Sequence, residues 1–291
     1  MKPITLNAID HAILQLALDE DLNGQSPKTW LDVTTDTLFP HALKKQRVKI
    51  ICKNDQPVIV CGIAIIEALL SKFDEDFELF TRYKDGDTLH KNETLLTLEC
   101  SAKTLLKAER TLLNLLRHLC AIATLTHQFV QAVKGTHTKI LDTRKTTPGM
   151  RHLEKYAVQC GGGVNHRMGL YDAFMVKDTH VDLLGGMEKV LAKLPDKTNN
   201  KLPVIIEIRN QDELDCVIAH GKNKVDRVLL DNMTLKELKA SVQKCKGLFQ
   251  TESSGNINLK TIKAIAKTGV DYTSIGQLTY AAGQVDLSMV G

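Results

Sequence analysis

The stretch Asp142–His180 reads DTRKTTPGMRHLEKYAVQCGGGVNHRMGLYDAFMVKDTH. Between Arg144 and Lys177 it contains six Lys or Arg residues and only two acids. The basic residues follow short apolar runs: KILD leads into Arg144 and Lys145, and AFMV leads into Lys177. A strand that ends in a charged residue delivers that charge to one rim of a sheet or barrel. The pattern therefore predicts a pocket for a compact, multiply charged anion.

Length and composition indicate a globular protein with a large core. The sequence has 291 residues, 43% of them apolar and 25% charged, which is ordinary for a soluble protein and long enough for two domains. The net charge of +4 and the aromatic content of 4% argue against a nucleic-acid-binding surface, which usually combines clustered basic groups with aromatics. We therefore expect a small anionic ligand and no nucleic acid.

Cysteine usage and hydropathy predict the compartment. The seven cysteines contain no CxxC pair and are interpreted as small core residues in a reducing environment. The N-terminus lacks a cationic start followed by an apolar segment, and the longest apolar run, Val58–Leu70, is interrupted by Glu67. We expect a cytoplasmic protein that does not enter a membrane.

The first part of the chain predicts an α+β domain. The segment Asn7–Asp21 has the spacing of an amphipathic helix with Asn7 as its N-cap. The residues expected on its apolar face are Ile9, Ile13, Leu16 and Ala17. Short β-like runs follow between Arg47 and Glu99, and a helix without Gly or Pro extends from Thr104 to about Val133. Its expected core stripe is Leu105, Leu112, Leu116, Leu119 and Ala123.

From Lys139 onward, strand and helix patterns alternate. The runs that predict strands are KILDT, AFMVK, PVIIEI, RVLLD, GLFQTE and DYTSI. Strands that are apolar on both faces and separated by helices predict a parallel sheet, either open or closed into a barrel. In such folds the chemistry lies at the carboxyl ends of the strands. The residues at these ends are Arg144, Lys145, Lys177, Glu207, Asp231, Glu252, Ser253, Ser274 and Gly276.

Two carboxylates, Glu207 and Asp231, end neighbouring apolar strands. They would repel each other unless a cation lay between them. Oxygen ligands without His or Cys suit Mg²⁺, which proteins usually hold by one or two carboxylates together with substrate phosphates. The alternative is a pair of salt bridges to lysines at the rim.

Two small-residue segments predict a phosphate site. Ser253-Ser254-Gly255 precedes a helix expected to begin near Asn258, where backbone amides could approach a phosphate. Ser274-Ile275-Gly276 follows the next strand and could cradle the same group.

Several motifs together resemble the quinolinate phosphoribosyltransferase family. They are ERTLLNLLRHLCAIAT, DTRKTTPGMR, KYAVQCGGGVNHRMGLYDAFMVKD, VIIEIRN, VLLDNM, ESSGNI and TSIGQLT. The resemblance extends from about Leu16 to Thr279, and the combination of DTRKTTPG with GGGxNHRxGLxD is highly specific. The family's short EDLGxGDxTT segment is expanded here by the insertion Asn23–Leu31.

The resemblance implies an N-terminal α+β sandwich domain over residues 1–115, with residues 278–291 packing back on it. It also implies an open, seven-stranded α/β barrel over residues 116–277, of which six strands are identified above. The implied enzyme transfers phosphoribosyl from phosphoribosyl pyrophosphate to quinolinate with decarboxylation. The products are nicotinate mononucleotide, pyrophosphate and CO₂, in de novo NAD biosynthesis. The family works as a homodimer in which Arg110 would reach the partner's site.

The resemblance also assigns site residues. The implied quinolinate-binding residues are Arg110, Arg144, His166, Arg167 and Lys177. Lys145 matches the lysine near the pyrophosphate and, with Glu207 and Asp231, is implied in catalysis. These two acids are also implied to hold Mg²⁺ and the phosphoribosyl group. The implied 5′-phosphate residues are Ser253, Ser254, Gly255, Ser274 and Gly276.

Two other functions remain open on sequence grounds. One is a paralogous ribosyl-transferring enzyme of the same fold, such as the ModD-like proteins linked with molybdenum transport. The other is a non-catalytic barrel that binds anions or nucleotides, although such a protein would not need Glu207 and Asp231 beside the arginines.

Overall fold

The computed structural model describes residues 2–24, 28–41, 44–73 and 76–291. The chain divides into two compact units. The first comprises Met1–His127, Thr146–Gly162 and Leu278–Gly291, and the second comprises Gln128–Lys145 and Gly163–Gln277. Part of the insertion Asn23–Leu31 noted in the sequence, residues 25–27, lies outside the described residues.

The secondary structure alternates along the described chain. The helices are α1 (Ala8–Leu22), α2 (Val33–Leu38), α3 (Ile63–Leu70), α4 (Ala102–Ala132), α5 (Arg151–Cys160), α6 (Asp178–Leu184), α7 (Met187–Lys193), α8 (Gln211–His220), α9 (Leu235–Cys245), α10 (Ile262–Ala266) and α11 (Gln277–Tyr280). The strands are β1 (Lys45–Cys52), β2 (Val58–Ile59), β3 (Glu78–Phe80), β4 (Thr88–Leu89), β5 (Thr94–Ser101), β6 (Lys139–Leu141), β7 (Phe174–Val176), β8 (Val204–Ile208), β9 (Arg227–Asp231), β10 (Gln250–Ser254), β11 (Tyr272–Ser274) and β12 (Leu287–Val290).

The first unit is built on an antiparallel sheet with the strand order β12-β1-β5-β3. The last strand, β12, pairs with β1 from Lys49↔Val290 to Cys52↔Leu287, so the end of the chain joins the sheet of the first unit. A separate two-stranded sheet pairs β2 with β4. The expected core stripe of the long helix α4 is buried as predicted, at Leu105, Leu112, Leu116, Leu119 and Ala123.

The unit boundaries differ from those expected from the sequence. Residues 116–127 and 146–162, which we assigned to the barrel, belong to the first unit. Hydrogen bonds within this unit account for the difference, because α5 is tied to it at two places. The His118 Nε2 lies 2.9 Å from Glu154 Oε1, and the Tyr156 hydroxyl donates to Asp85 at 2.8 Å.

The apolar face predicted for α1 is wrong. Asn7 does cap the helix, but the buried stripe is Leu14, Leu18 and Leu22, whereas Ile9 and Leu16 are 61% and 62% exposed. The segment carries two apolar stripes, and tertiary packing, rather than local periodicity, decides which one is covered.

The second unit contains a parallel sheet with the order β6-β11-β10-β9-β8-β7. These six strands coincide with the six apolar runs identified in the sequence, and the predicted two-domain α/β fold class is confirmed. Beside β6, Val164 forms a single parallel bridge with Leu141. The described residues therefore form six parallel strands and one isolated bridge where the resemblance implies seven strands. None of the helices in the described part of the chain is long and apolar enough to cross a membrane.

Candidate active site

One face of the parallel sheet carries most of the predicted site. Paired residues of parallel strands point to the same side, and Glu207 pairs with Leu229, which pairs with Glu252. Two residues further along the strands, Asp231 pairs with Ser254. Because side chains alternate along a strand, all these residues project from the same face. The same face continues on β11, where Tyr272 pairs with Glu252 and Ser274 lies two residues further along. We call this face the polar face.

Two of the acids on the polar face, Glu207 and Asp231, repel each other electrostatically. Burial raises the pKa of Glu207 above its ordinary value, and the charges of Asp231 and Asp178 raise it further, against the opposing charges of Lys177 and Arg209. The Asp231 carboxylate accepts hydrogen bonds from the Ser254 hydroxyl and, at 2.7 Å, from Asn232 Nδ2. Each acid retains lone pairs toward a further ligand.

The donor set fits a magnesium ion that is completed by its substrate. Both groups are carboxylates, and a cation between them would relieve the repulsion that raises the pKa of Glu207. Within the described residues there is no cluster of three or more His, Cys, Asp or Glu side chains that could hold a metal alone. Mg²⁺ at this place would therefore take further oxygen ligands from water or from substrate phosphates.

The segments that follow β9 and β10 lie in close contact with each other. Gly255 has a φ of +93°, and a Cβ there would lie 2.5 Å from Asn232 Cγ and closer still to its Oδ1. The Asn232 amide nitrogen donates to the Ser254 carbonyl at 3.0 Å, and Asn256 Nδ2 donates to Asn232 Oδ1 at 3.3 Å. Asn232 was missed by the sequence analysis, although an Asn directly after a strand is a signal for the left-handed backbone that it adopts, with a φ of 52°.

The predicted phosphate residues do not all project together. Ser253 pairs with Leu230 and Thr273, so its buried side chain points to the face opposite Ser254. The expected helix start near Asn258 is also wrong, because α10 begins only at Ile262. The Asn258 side chain instead accepts from the backbone amides of Lys260 and Thr261, which forms a turn. Ile275 follows β11 directly, and its backbone amide donates to the Leu141 carbonyl at 2.9 Å; Gly276 comes next.

At least two of the predicted basic residues lie near each other, the arginines Arg144 and Arg167. Burial lowers the pKa of Arg167, and the nearby positive charge of Arg144 lowers it further. The Arg167 Nη1 donates to the Ala173 carbonyl at 3.1 Å, while the Arg144 side chain is exposed. Lys177, directly after β7, is close enough to Glu207 to oppose the increase in its pKa. Two arginines that repel each other suit a ligand with two negative charges.

His166 lies within a network of buried charged groups. Its backbone amide donates to Asp142 at 2.7 Å, and its Nε2 lies 3.4 Å from Glu252 Oε1. The Glu252 Oε2 accepts from Arg227 Nη1 at 3.0 Å, and the Arg227 guanidinium lies 3.8 Å from the Tyr272 ring centroid. The sequence placed Glu252 at a strand end but gave it no role, and gave Arg227 and Asp142 none either.

Lys145 and Arg110 lie in different units. Lys145 is exposed in the second unit, and its backbone amide donates to Thr143 Oγ1 at 3.0 Å. Arg110 is exposed on α4 in the first unit. It borders a cavity of about 520 Å³ together with Ala17, Glu20, Asp21, Thr111, Asn114, Leu115, His118, Thr147 and Met150.

Fold and site together define an α/β enzyme whose second unit combines an acid pair on β8 and β9 with two arginines, Arg144 after β6 and Arg167 in the segment before β7. Comparisons with known proteins identify the family. Residues 32–120 match the N-terminal domain of quinolinate phosphoribosyl transferase, and residues 122–290 match its C-terminal domain. The chain therefore belongs to the quinolinate phosphoribosyltransferase family.

Relatives and solved structures agree over nearly the full length. The chain is 37% identical to a probable nicotinate-nucleotide pyrophosphorylase (carboxylating) of Bacillus subtilis, over 89% of this chain and 87% of that protein. It is 36% identical to the nicotinate-nucleotide pyrophosphorylase (carboxylating) of Mycobacterium leprae, over 95% of both chains. The structure of NadC from Streptococcus pyogenes superposes with a TM-score of 0.90 at 33% identity, over 100% of this chain and 98% of that chain.

Proposed function

We propose that this chain transfers phosphoribosyl from phosphoribosyl pyrophosphate to quinolinate and releases CO₂, forming nicotinate mononucleotide and pyrophosphate for NAD biosynthesis. The names of its relatives and its family membership support this reaction. The observation that carries the proposal is the pairing of Arg144 with Arg167: burial lowers the pKa of Arg167, and the positive charge of Arg144 lowers it further. Quinolinate carries two ring carboxylates, which guanidinium groups bind in a planar, forked geometry.

The arginine pair and Lys177 orient the acceptor. Arg144, Arg167 and Lys177 hold the two carboxylates so that the pyridine nitrogen faces C1 of the ribose. The polar backbone of the turn at Ser254 and Gly255, with Ser274 and Gly276, binds the 5′-phosphate. Ser253 contributes through its main chain, since its side chain points to the other face. Fixing both reactants in this way supplies a large part of the rate enhancement.

The acid pair and Lys145 act on the donor. Glu207 and Asp231 stabilise positive charge that develops on the ribose as the bond between C1 and pyrophosphate oxygen breaks. Lys145 stabilises the departing pyrophosphate. Both acids would hold Mg²⁺, which when bound neutralises charge on the pyrophosphate.

Decarboxylation follows from the new bond. Once C1 is attached, the ring nitrogen is cationic and stabilises the electron pair left at C2 when the adjacent carboxylate departs as CO₂. A proton from solvent then replaces it, so the step needs no further cofactor.

The proposed enzyme is a cytoplasmic homodimer in which Arg110 of the partner subunit completes the quinolinate site. Exposure of Arg110 beside a cavity in the first unit supports this arrangement. The seven free cysteines, six of them buried, fit a reducing compartment. A mixing experiment tests the shared site: inactive Arg110→Ala and Glu207→Ala chains should regain activity when mixed, because heterodimers would carry one complete site. Mixtures that dimerise but stay inactive would contradict the exchange of Arg110.

The reaction itself is tested with quinolinate labelled in the C2 carboxylate. We expect equal release of labelled CO₂ and nicotinate mononucleotide in the presence of phosphoribosyl pyrophosphate and Mg²⁺. Chelation should abolish both, and nicotinate should not replace quinolinate. A folded protein that releases neither product would refute the proposed function.

A further inference from the structure

A fully buried acid connects two parts of the candidate site. Glu252 has no exposed surface, and its two oxygens face different partners: Arg227 Nη1 at 3.0 Å and His166 Nε2 at 3.4 Å. Burial alone would raise the pKa of Glu252, but the neighbouring His166, the charge of Arg227 and the Ser274 hydroxyl outweigh it, so the pKa lies below its ordinary value. The charged form of Glu252 is therefore favoured, and its carboxylate lies on the polar face between Arg227 and His166.

The hydrogen bonds of His166 fix which ring nitrogen carries the proton. The backbone amide of Arg167 donates to His166 Nδ1 at 2.7 Å, so Nδ1 must be an acceptor. A neutral ring then carries its hydrogen on Nε2, which faces Glu252. The buried carboxylate stabilises this tautomer, and this tautomer in turn receives the Arg167 amide.

Arg167 is held at both ends by these contacts. Its backbone amide is bound by the His166 ring, and its Nη1 donates to the Ala173 carbonyl at 3.1 Å. The preceding residue is fixed as well, since Asp142 accepts from the His166 amide at 2.7 Å. Such contacts set the position from which Arg167 meets the charge of Arg144.

We propose that Glu252 is a positioning residue: through the His166 ring it fixes the backbone of Arg167 and thereby the geometry of the dicarboxylate site. This role rests on the proposed function for its kinetic consequence, but the hydrogen-bond network stands independently of the substrate. His166 accordingly acts by holding Arg167, with both of its ring nitrogens directed at protein groups.

Glu252→Gln is the informative substitution. Its two partners, Arg227 and His166, are both donors, whereas a glutamine amide offers an acceptor on one side and N–H donors on the other. One partner therefore meets another donor, or the His166 ring changes tautomer and loses the Arg167 amide. Asp10→Asn is a matched control, because Asp10 is likewise fully buried and lies 2.6 Å from a histidine, His152, within the first unit.

Nitrogen NMR of the ligand-free enzyme tests the network. With ¹⁵N-labelled histidine, and the His166 signal assigned by its loss in His166→Asn, we expect an Nε2-protonated ring in the wild type. This state should be altered in Glu252→Gln and unchanged in Asp10→Asn. A His166 ring that is Nδ1-protonated, or that does not respond to Glu252→Gln, would overturn the inference.

Steady-state kinetics test the consequence for substrate binding. Glu252→Gln should raise KM for quinolinate by about tenfold to a hundredfold, as expected for a misplaced binding group. KM for phosphoribosyl pyrophosphate should change less than about threefold, because glutamine keeps an oxygen that can accept from the Ser274 hydroxyl and backbone pairing with Leu141 holds Ser274 in register. Asp10→Asn should lower stability without raising KM for quinolinate.

A double variant separates positioning from a general loss of structure. His166→Asn keeps an acceptor near the Nδ1 position but has no group at Nε2 to face Glu252. In that background Glu252→Gln should change KM for quinolinate only slightly, since the His166 ring that links Glu252 to Arg167 has been removed. Fully additive effects would overturn the role through His166. If the wild type did not turn over quinolinate, the proposed function would fail, while the NMR result would still decide the Glu252–His166–Arg167 network.

Discussion

Gly255→Ala should disturb the contact between the segments that follow β9 and β10. Gly255 has a φ of +93°, a region that residues with a Cβ rarely adopt. The new methyl group would also overlap the Asn232 side chain, with Cγ at 2.5 Å. Asn232 would have to rotate away, and it would then lose its hydrogen bond to the Asp231 carboxylate, now 2.7 Å long.

The expected loss in the free energy of unfolding follows from two effects, the backbone conformation and the lost hydrogen bond. The backbone conformation costs a residue with a Cβ about 1–2 kcal/mol. The lost hydrogen bond to a carboxylate costs about 1–2 kcal/mol more at this solvent-accessible position, toward the lower end of the range for charged partners. We therefore expect the free energy of unfolding to fall by about 2–4 kcal/mol. Because Asp231 loses a fixed partner, KM for phosphoribosyl pyrophosphate should rise as well.

Gly247→Ala is the matched control for this experiment. Gly247 also has a positive φ, of 76°, but a Cβ there would meet no atom within 4 Å. Denaturant unfolding should therefore show a loss of only about 1–2 kcal/mol for Gly247→Ala, with KM unchanged. The reasoning would be refuted if both variants lost equal stability and Gly255→Ala bound phosphoribosyl pyrophosphate normally.

Three further predictions concern charge and packing. Glu207→Gln should abolish transfer yet stabilise the metal-free protein near pH 7. Burial and Asp231 raise the pKa of Glu207, so its stabilising contribution is fully present below the ordinary value of 4.5 and is lost as pH rises through the raised pKa. In urea unfolding, the difference in the free energy of unfolding between Glu207→Gln and the wild type should disappear at about pH 4. Arg144→Met should raise KM for quinolinate and raise thermal stability without ligand, because Arg167 then loses a repelling neighbour; equal melting temperatures would contradict this. Leu119→Ala, at a fully buried position in α4, should lower the free energy of unfolding by about 2–5 kcal/mol in urea, and a loss below about 1 kcal/mol would indicate that the cavity collapses.

The parallel sheet could be predicted because its strands are buried on both faces. Runs such as PVIIE and RVLLD are continuously apolar and end in charged residues, which marks both a strand and its functional end. The face of α1 could not be predicted in the same way. Its segment allows either Ile9 and Leu16 or Leu14 and Leu18 to be covered, and only the surrounding structure selects between them.

In the candidate site, the sequence likewise predicted which residues end a strand but not the direction in which their side chains point. The sequence located Ser253 and Ser254 at the end of one strand, but the register, which decides that only Ser254 joins Asp231, depends on the neighbouring strands. Glu252 was visible as a strand-end acid, yet its role depends on His166, which is distant in the sequence. Pairwise contacts of this kind leave no local pattern in one sequence.

The ligand-free site combines two unfavourable pairs of like charges. Burial and the charge of Arg144 lower the pKa of Arg167, and burial and the charge of Asp231 raise the pKa of Glu207. Each pair of like charges therefore disfavours its own charged state. Both conflicts are relieved by a ligand of the opposite sign, a dicarboxylate for the arginines and a divalent cation with phosphate for the acids. The opposite face of the sheet is buried and carries Ile206, Val228 and Leu230. Binding energy at each pair therefore includes relief of a repulsion that the folded chain already bears, and each ligand should stabilise the protein against unfolding by an amount that grows with the logarithm of its concentration above Kd.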